Sequence, residues 1–266
     1  MQSNNSNQNL FINNEMVSGI SRLDLSYDTN ITPSFAIDDS EINYLPSQPI
    51  RANLALSMFS NENDIFINYT GVNTFSGRLE YGDRYILFQS GALNSYQIRY
   101  SKYEPIESAV VAVIYGEVGR LTGNYNIQNY SQKLPIYNFH YVDIDLDEFN
   151  SNLADSFELN VVCNRNEIYE IGSYLPTDIQ LIYPLAISLN CNIEIDEFNY
   201  ENIRNIIDNP VTRNININFK TLNGNNIAKR INLNNLMLMN KSLSLNNDSA
   251  GTASLSFVTY IVSGIS

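Results

Sequence analysis

The 266-residue sequence predicts an all-β, mostly antiparallel fold built from two tandem β domains with one short flanking helix. Three observations predict it. Polar and apolar residues alternate along residues 21–27, 215–219 and 242–245, the period of half-buried strands. Residues 109–114 (AVVAVI) are apolar on both faces, which suits a strand in the middle of a packed sheet. Short motifs also recur at a nearly constant offset. Tyr44-Leu45-Pro46-Ser47 returns as Tyr174-Leu175-Pro176-Thr177 (174 − 44 = 130), and Leu54-Ala55-Leu56-Ser57 returns as Leu185-Ala186-Ile187-Ser188 (185 − 54 = 131).

Each copy then ends on a similar apolar strand, residues 109–115 and 254–261. Their tyrosines Tyr115 and Tyr260 lie 145 apart (260 − 115), so the second copy has gained about fifteen residues. The division that results is a first domain at residues 1–122, a linker at 123–138 and a second, divergent domain at 139–266. Gly71, Gly77, Gly82 and Gly91 punctuate residues 69–100 and predict consecutive hairpins. One helix is predicted over residues 196–208, with Phe198, Ile203, Ile206 and Ile207 on one face and Pro210 ending it. The matching stretch of the first copy, residues 60–71, has room for only a short helix or a loop.

Composition excludes several classes. The formal net charge is −13, with 15 basic residues against 28 acidic ones, so the chain lacks the basic surface that holds nucleic acid by its phosphates. No run of eighteen apolar residues is present to span a membrane. Residues 1–10 are polar and Asn-rich, without the charged-then-apolar pattern of a secretory signal. Cys163 and Cys191 form neither a disulfide framework nor a zinc set, and each sits in an apolar run where a cysteine serves as a small buried hydrophobe.

The chemistry-bearing residues are sparse. His140 is the single histidine, which leaves only a Cys163–His140 pairing for nucleophilic catalysis, with no oxyanion-forming turn beside either residue. Asp143, Asp145 and Asp147 alternate with apolar residues, and the EF-hand pattern fails because Glu148 stands at the sixth position and Ala154 at the twelfth. They are read instead as an acidic face of one strand, a candidate lumen-facing surface. There is no Trp, and the eighteen Tyr are spread along the chain rather than gathered into a sugar-binding platform. No phosphate-binding Gly-rich loop opens a helix. No catalytic residue, cofactor or metal is expected.

The succession Gly19 to Tyr27, then Asn68-Tyr69-Thr70-Gly71, Gly77-Arg78-Leu79-Glu80-Tyr81, residues 90–96 (SGALNSY) and Val113 to Gly119 resembles virion structural proteins of tailed bacteriophages, and more loosely the tail tube protein family. The resemblance covers residues 17–119, and the second copy only through the repeat. It implies a small β-barrel or two-sheet sandwich with one flanking helix and a long hairpin. It also implies hexameric rings that stack into a tube, inner sheets continuous across subunits, an acidic channel wall and no catalytic residues. A duplicated chain would then close a pseudo-sixfold ring from three copies. The expected partners are copies of itself and other tail or neck proteins, with DNA passing the lumen without specific binding and no membrane. The expected location is the virion tail, after synthesis in the host cytoplasm. The competing reading is a two-domain β-sandwich adhesin or carbohydrate-binding module.

Overall fold

The computed structural model describes residues 8–28, 31–34, 43–46, 51–60, 64–72, 74–81, 84–115, 142–146, 150–151, 154–173, 175–197, 199–209, 211–220, 227–246 and 249–262. The first half holds β1 (Gln8–Ile12), β2 (Glu15–Val17), β3 (Ile20–Asp28), β4 (Ile31–Ser34), β5 (Asn43–Pro46), β6 (Arg51–Phe59), a 3-10 helix Phe66–Gly71, β7 (Phe75–Tyr81), β8 (Arg84–Ser101) and β9 (Glu107–Tyr115). The second holds β10 (Val142–Leu146), β11 (Asn150–Ser151), β12 (Ala154–Val162), β13 (Arg165–Ile168), β14 (Asp178–Leu181), β15 (Leu185–Ile195), helix α1 (Tyr200–Asp208), β16 (Arg213–Lys220), β17 (Ile227–Asn246) and β18 (Ser249–Ile261). The fold is all-β and antiparallel in its strand pairings. No sheet closes on itself among the described residues, so a barrel is not formed by these pairings.

The two halves repeat one order of elements and one order of pairing. β3–β6–β9–β8–β7–β1–β2 in the first half corresponds to β12–β15–β18–β17–β16–β10–β11 in the second, each with a separate two-stranded arm, β4–β5 or β13–β14. Irregularities in register recur at matching places. The bulge at Ile20/Arg22 reappears at Ala154/Ser156 (154 − 20 = 134), that at Phe75/Gly77 at Arg213/Ile215 (213 − 75 = 138), and that at Leu93/Ser95 at Leu238/Asn240 (238 − 93 = 145). A bulge displaces every later side chain by one position, so bulges mark equivalent residues more securely than short sequence matches do.

By these markers Leu54–Ser57 of β6 corresponds to Leu189–Asn192 of β15. The LALS and LAIS segments therefore sit four residues out of structural register. Leu175 and Pro176 fall in the connection between β13 and β14, whereas Leu45 and Pro46 end β5. The 145-residue spacing of Tyr115 and Tyr260 agrees with the register of β9 and β18. The linker at 123–138 and His140 lie outside the described residues.

Local chemistry explains the strands. β15 alternates buried Leu185, Ile187, Leu189, Cys191, Ile193 and Ile195 with polar or small residues, and β6 buries Ala52, Leu54, Leu56 and Met58 in the same way. β9 runs between β6 and β8, although Val111 remains exposed, so it is buried on both faces only from Ala112 to Tyr115. Gly77 and Gly91 are not turn residues; they lie within β7 and β8. Gly77 is directly opposite Phe88, and Gly91 opposite Phe75, and each ring lies over the partner glycine where a Cβ would collide with it. An aromatic ring here covers backbone that glycine leaves bare. The two rings meet edge to face at 6.2 Å.

Helix α1 begins four residues later than the sequence predicts. Ahead of it Asp196 and Asn199 bind each other reciprocally: Asn199 N donates to Asp196 Oδ1 (2.8 Å) and Asp196 N to Asn199 Oδ1 (2.9 Å). α1 buries Ile203 and Ile206, and Ile207 packs partly against the core. Phe198 and Pro210 lie outside the described residues. One apolar cluster runs through both halves, from Leu10 and Leu54 to Ile217 and Phe257.

Candidate assembly interface

The halves meet strand to strand. β12 pairs with β15 along one edge and with β8 of the first half along the other, setting Phe157 opposite Tyr100, Leu159 opposite Ile98 and Val161 opposite Tyr96. All six of these side chains are buried. Tyr100 and Phe157 stack at 5.2 Å with 16° between their planes. The opposite face of the same pairs is polar. Gln97 Nε2 donates to Asn160 Oδ1 (2.6 Å), and Arg99 meets Glu158 (3.2 Å). At the end of the strand Lys102 pairs with both Asp155 (3.4 Å) and Glu194 (3.2 Å). These ion pairs are part-exposed and contribute less than the buried apolar face and the backbone ladder.

The β13–β14 arm then reaches across the first half. Glu167 accepts hydrogen bonds from Arg51, from Tyr115 (2.7 Å) and from Tyr169 (2.7 Å). Burial and the Glu167 carboxylate hold the Tyr115 phenol well above the ordinary tyrosine range. Beneath the carboxylate, Ile179 packs with Ala92, Val113 and Tyr115 in a small separate cluster. Arg165 Nε donates to the Leu93 carbonyl (3.0 Å) and Nη1 to the Val72 carbonyl (2.8 Å), and burial lowers its pKa. Arg165→Ala is expected to destabilise the chain by about 2 kcal/mol, because two carbonyls of the first half lose their donor. The measurement is the urea midpoint, which falls while the slope stays constant.

A second link is a buried polar cluster. The Asp64 carboxylate accepts from Phe66 N (3.2 Å), from the Tyr96 hydroxyl and from Ser108 Oγ (3.0 Å). Lys229 of β17 donates to the Asp64 carbonyl (3.3 Å), and desolvation lowers the lysine's pKa while Asp64 opposes that shift. Residues from the 3-10 region, β8 and β9 thus converge on one carboxylate, and the second half adds a bond to the backbone carbonyl of the same residue.

The acidic strand differs from a free acidic face. Asp143 and Asp145 do share a face of β10, but Asp143 is buried against Lys220 (3.3 Å), and Asp145 accepts from Asn216 (3.3 Å). Asp147 lies outside the described residues. The neighbouring strand supplies the lysine, which alternation within β10 alone could not reveal. Cys163 and Cys191 are buried and unpaired with each other, and burial pushes their thiols up to about 11 and about 12. At neutral pH neither is a thiolate, so neither is a ready nucleophile. Cys163 Sγ donates to the Thr70 carbonyl (3.6 Å).

A depression of about 650 Å³ lies beside the β8–β12 junction and is rimmed by Arg99, Glu104, Glu107 and Glu158. Its aromatic residues Tyr100 and Phe157 are buried, so neither presents an open ring face to a sugar. No helix among the described residues is long and apolar enough to cross a membrane.

Several strand edges are open among the described residues, those of β3 and β17 among them. β3 pairs with β6 and has no second partner among the described residues. β17 pairs with β16 over its first half and with β18 over its second, leaving its other edge without a strand there among the described residues. No protein-family model matches the sequence, and no curated protein is similar to it.

Proposed function

We propose that the chain is a structural protein of a bacteriophage tail, assembling with copies of itself into pseudo-sixfold rings that form a tube, or a neck or tip ring, through which DNA passes. The observation that carries this reading is the joint between the halves. Two units of one strand order share a continuous sheet through β8 and β12, and the equivalents of those two strands, β17 and β3, have an open edge each among the described residues. A contact of that kind is heterologous, and it makes a ring where its repeated rotation closes. Three chains would place six units around the axis. The net charge of −13 suits a lumen that repels DNA rather than binding it. In this reading the protein is not an enzyme, needs no cofactor and contacts other tail or neck proteins at the ring faces.

The test is negative-stain electron microscopy over a concentration series, with mass determination alongside. Closed rings with a central hole and three- or sixfold symmetry are expected. Monomers at every concentration would refute the reading.

A further inference from the structure

We propose that a second copy of this chain docks on β17 and β18 through its own β3 strand and β4–β5 arm, reproducing between chains the contact that β12 and the β13–β14 arm make within one. The proposal rests on the self-assembly reading above and adds which surfaces meet and in what register.

The argument compares equivalent residues. In the first half Ile98, Ala92 and Tyr115 are 0%, 0% and 5% exposed, because β12 and the second half's arm cover them. The 145-residue offset of β8 and β9 carries these positions to Leu243, Met237 and Tyr260 (98 + 145, 92 + 145 and 115 + 145). Those are 44%, 48% and 67% exposed. The second half therefore presents the docking surface of the first, uncovered. The covering elements also exist in spare form. Leu23 and Leu25 of β3 stand where β12 has the buried Phe157 and Leu159 (157 − 134 and 159 − 134), and both remain only partly buried. An exposed apolar patch and an open strand edge on one molecule, matched to each other by an existing contact, identify the occupant as another copy.

The register follows from the same offsets. Leu159 opposes Ile98 and Asn160 opposes Gln97 within the chain. Between chains, Leu25 would then oppose Leu243, and Ser26 would oppose Ser242 (160 − 134 and 97 + 145). The charged lock of the internal joint is not copied. Ala186 stands at the Arg51 position (51 + 135), and Pro33 at the Glu167 position (167 − 134). The Arg51–Glu167 ion pair of the internal joint therefore has no counterpart between chains.

Disulfide trapping in the full chain tests it. Leu25→Cys with Leu243→Cys and Ser26→Cys with Ser242→Cys are the two test pairs. Adjacent pairs of an antiparallel ladder alternate in spacing, so one of them offers the closer approach that a disulfide accepts. Asp24→Cys with Asn240→Cys, out of register by four residues, is the control. Oxidation is expected to give reducible multimers from at least one test pair, at least about tenfold above the control. If the chain assembles by mass but neither pair exceeds the control, this interface is wrong while self-assembly stands. If it stays monomeric throughout, both fail. Leu243→Lys, at an exposed site, is expected to keep its circular dichroism and to weaken association at least about tenfold by burying an unpaired charge; unchanged association overturns the proposal.

Discussion

Replacing Asp64 by alanine is expected to lower the unfolding free energy by about 4 kcal/mol. The residue is nearly enclosed, and its carboxylate receives the Tyr96 hydroxyl, Ser108 Oγ and Phe66 N. Tyr96 and Ser108 are themselves 0% and 1% exposed, so water cannot replace the lost acceptor. Leaving such donors buried without a partner costs more than the hydrogen bonds contribute when made. Lys229 suffers as well, since Asp64 is the charge that offsets its desolvation. Asp64→Asn keeps the shape and one acceptor oxygen, and about half the loss is expected. Denaturant unfolding of the two variants checks the ratio. Equal stabilities for Asp64→Ala and the parent chain would show that the cluster relaxes around the gap.

Gly77→Val should cost about 3 kcal/mol, lowering the melting temperature by on the order of 8 °C. The added methyls would enter the space of the Phe88 ring, which is buried and packed edge to face on the Phe75 ring. The second half suggests the remedy. At the positions of Gly77 and Phe88 it carries Ile215 and Leu233, also opposite each other and also buried (77 + 138 and 88 + 145). Gly77→Val combined with Phe88→Leu imitates that pair and is expected to recover at least half the loss. Thermal unfolding of the single and double variants decides it. A double variant no better than the single would mean that the two halves fill this place by different backbone geometries.

These two pairs also explain what could be read from the sequence. A glycine under an aromatic ring and an aliphatic pair occupy the same volume, yet share no letters. The repeat therefore survives in strand order and in bulges while the residues drift. What matched by letter, LALS against LAIS, lies four residues out of structural register. Strands with a clean period of two, such as β3 and β16, are legible because alternate positions are apolar. Gly77 and Gly91 look like hairpin punctuation in the sequence because glycine beneath a ring and glycine in a turn are alike from one strand. The arm contacts were invisible. Arg51 and Glu167 are 116 residues apart, and Asp64 and Lys229 are 165 apart, so nothing local links them. For β10, alternation gave the shared face of Asp143 and Asp145, but Lys220 comes from a strand more than seventy residues away.

The joint between β8 and β12 has an arithmetical consequence. Because the two units are covalently tandem and differ in detail, first and second kinds must alternate around any closed cycle of this chain. The number of units in it is then even, whatever the curvature of the joint. A five- or seven-membered circle is forbidden by connectivity alone, and an error in closure can only add or remove two units at once. Fusing the pair thus narrows the sizes open to the assembly without strengthening any single contact.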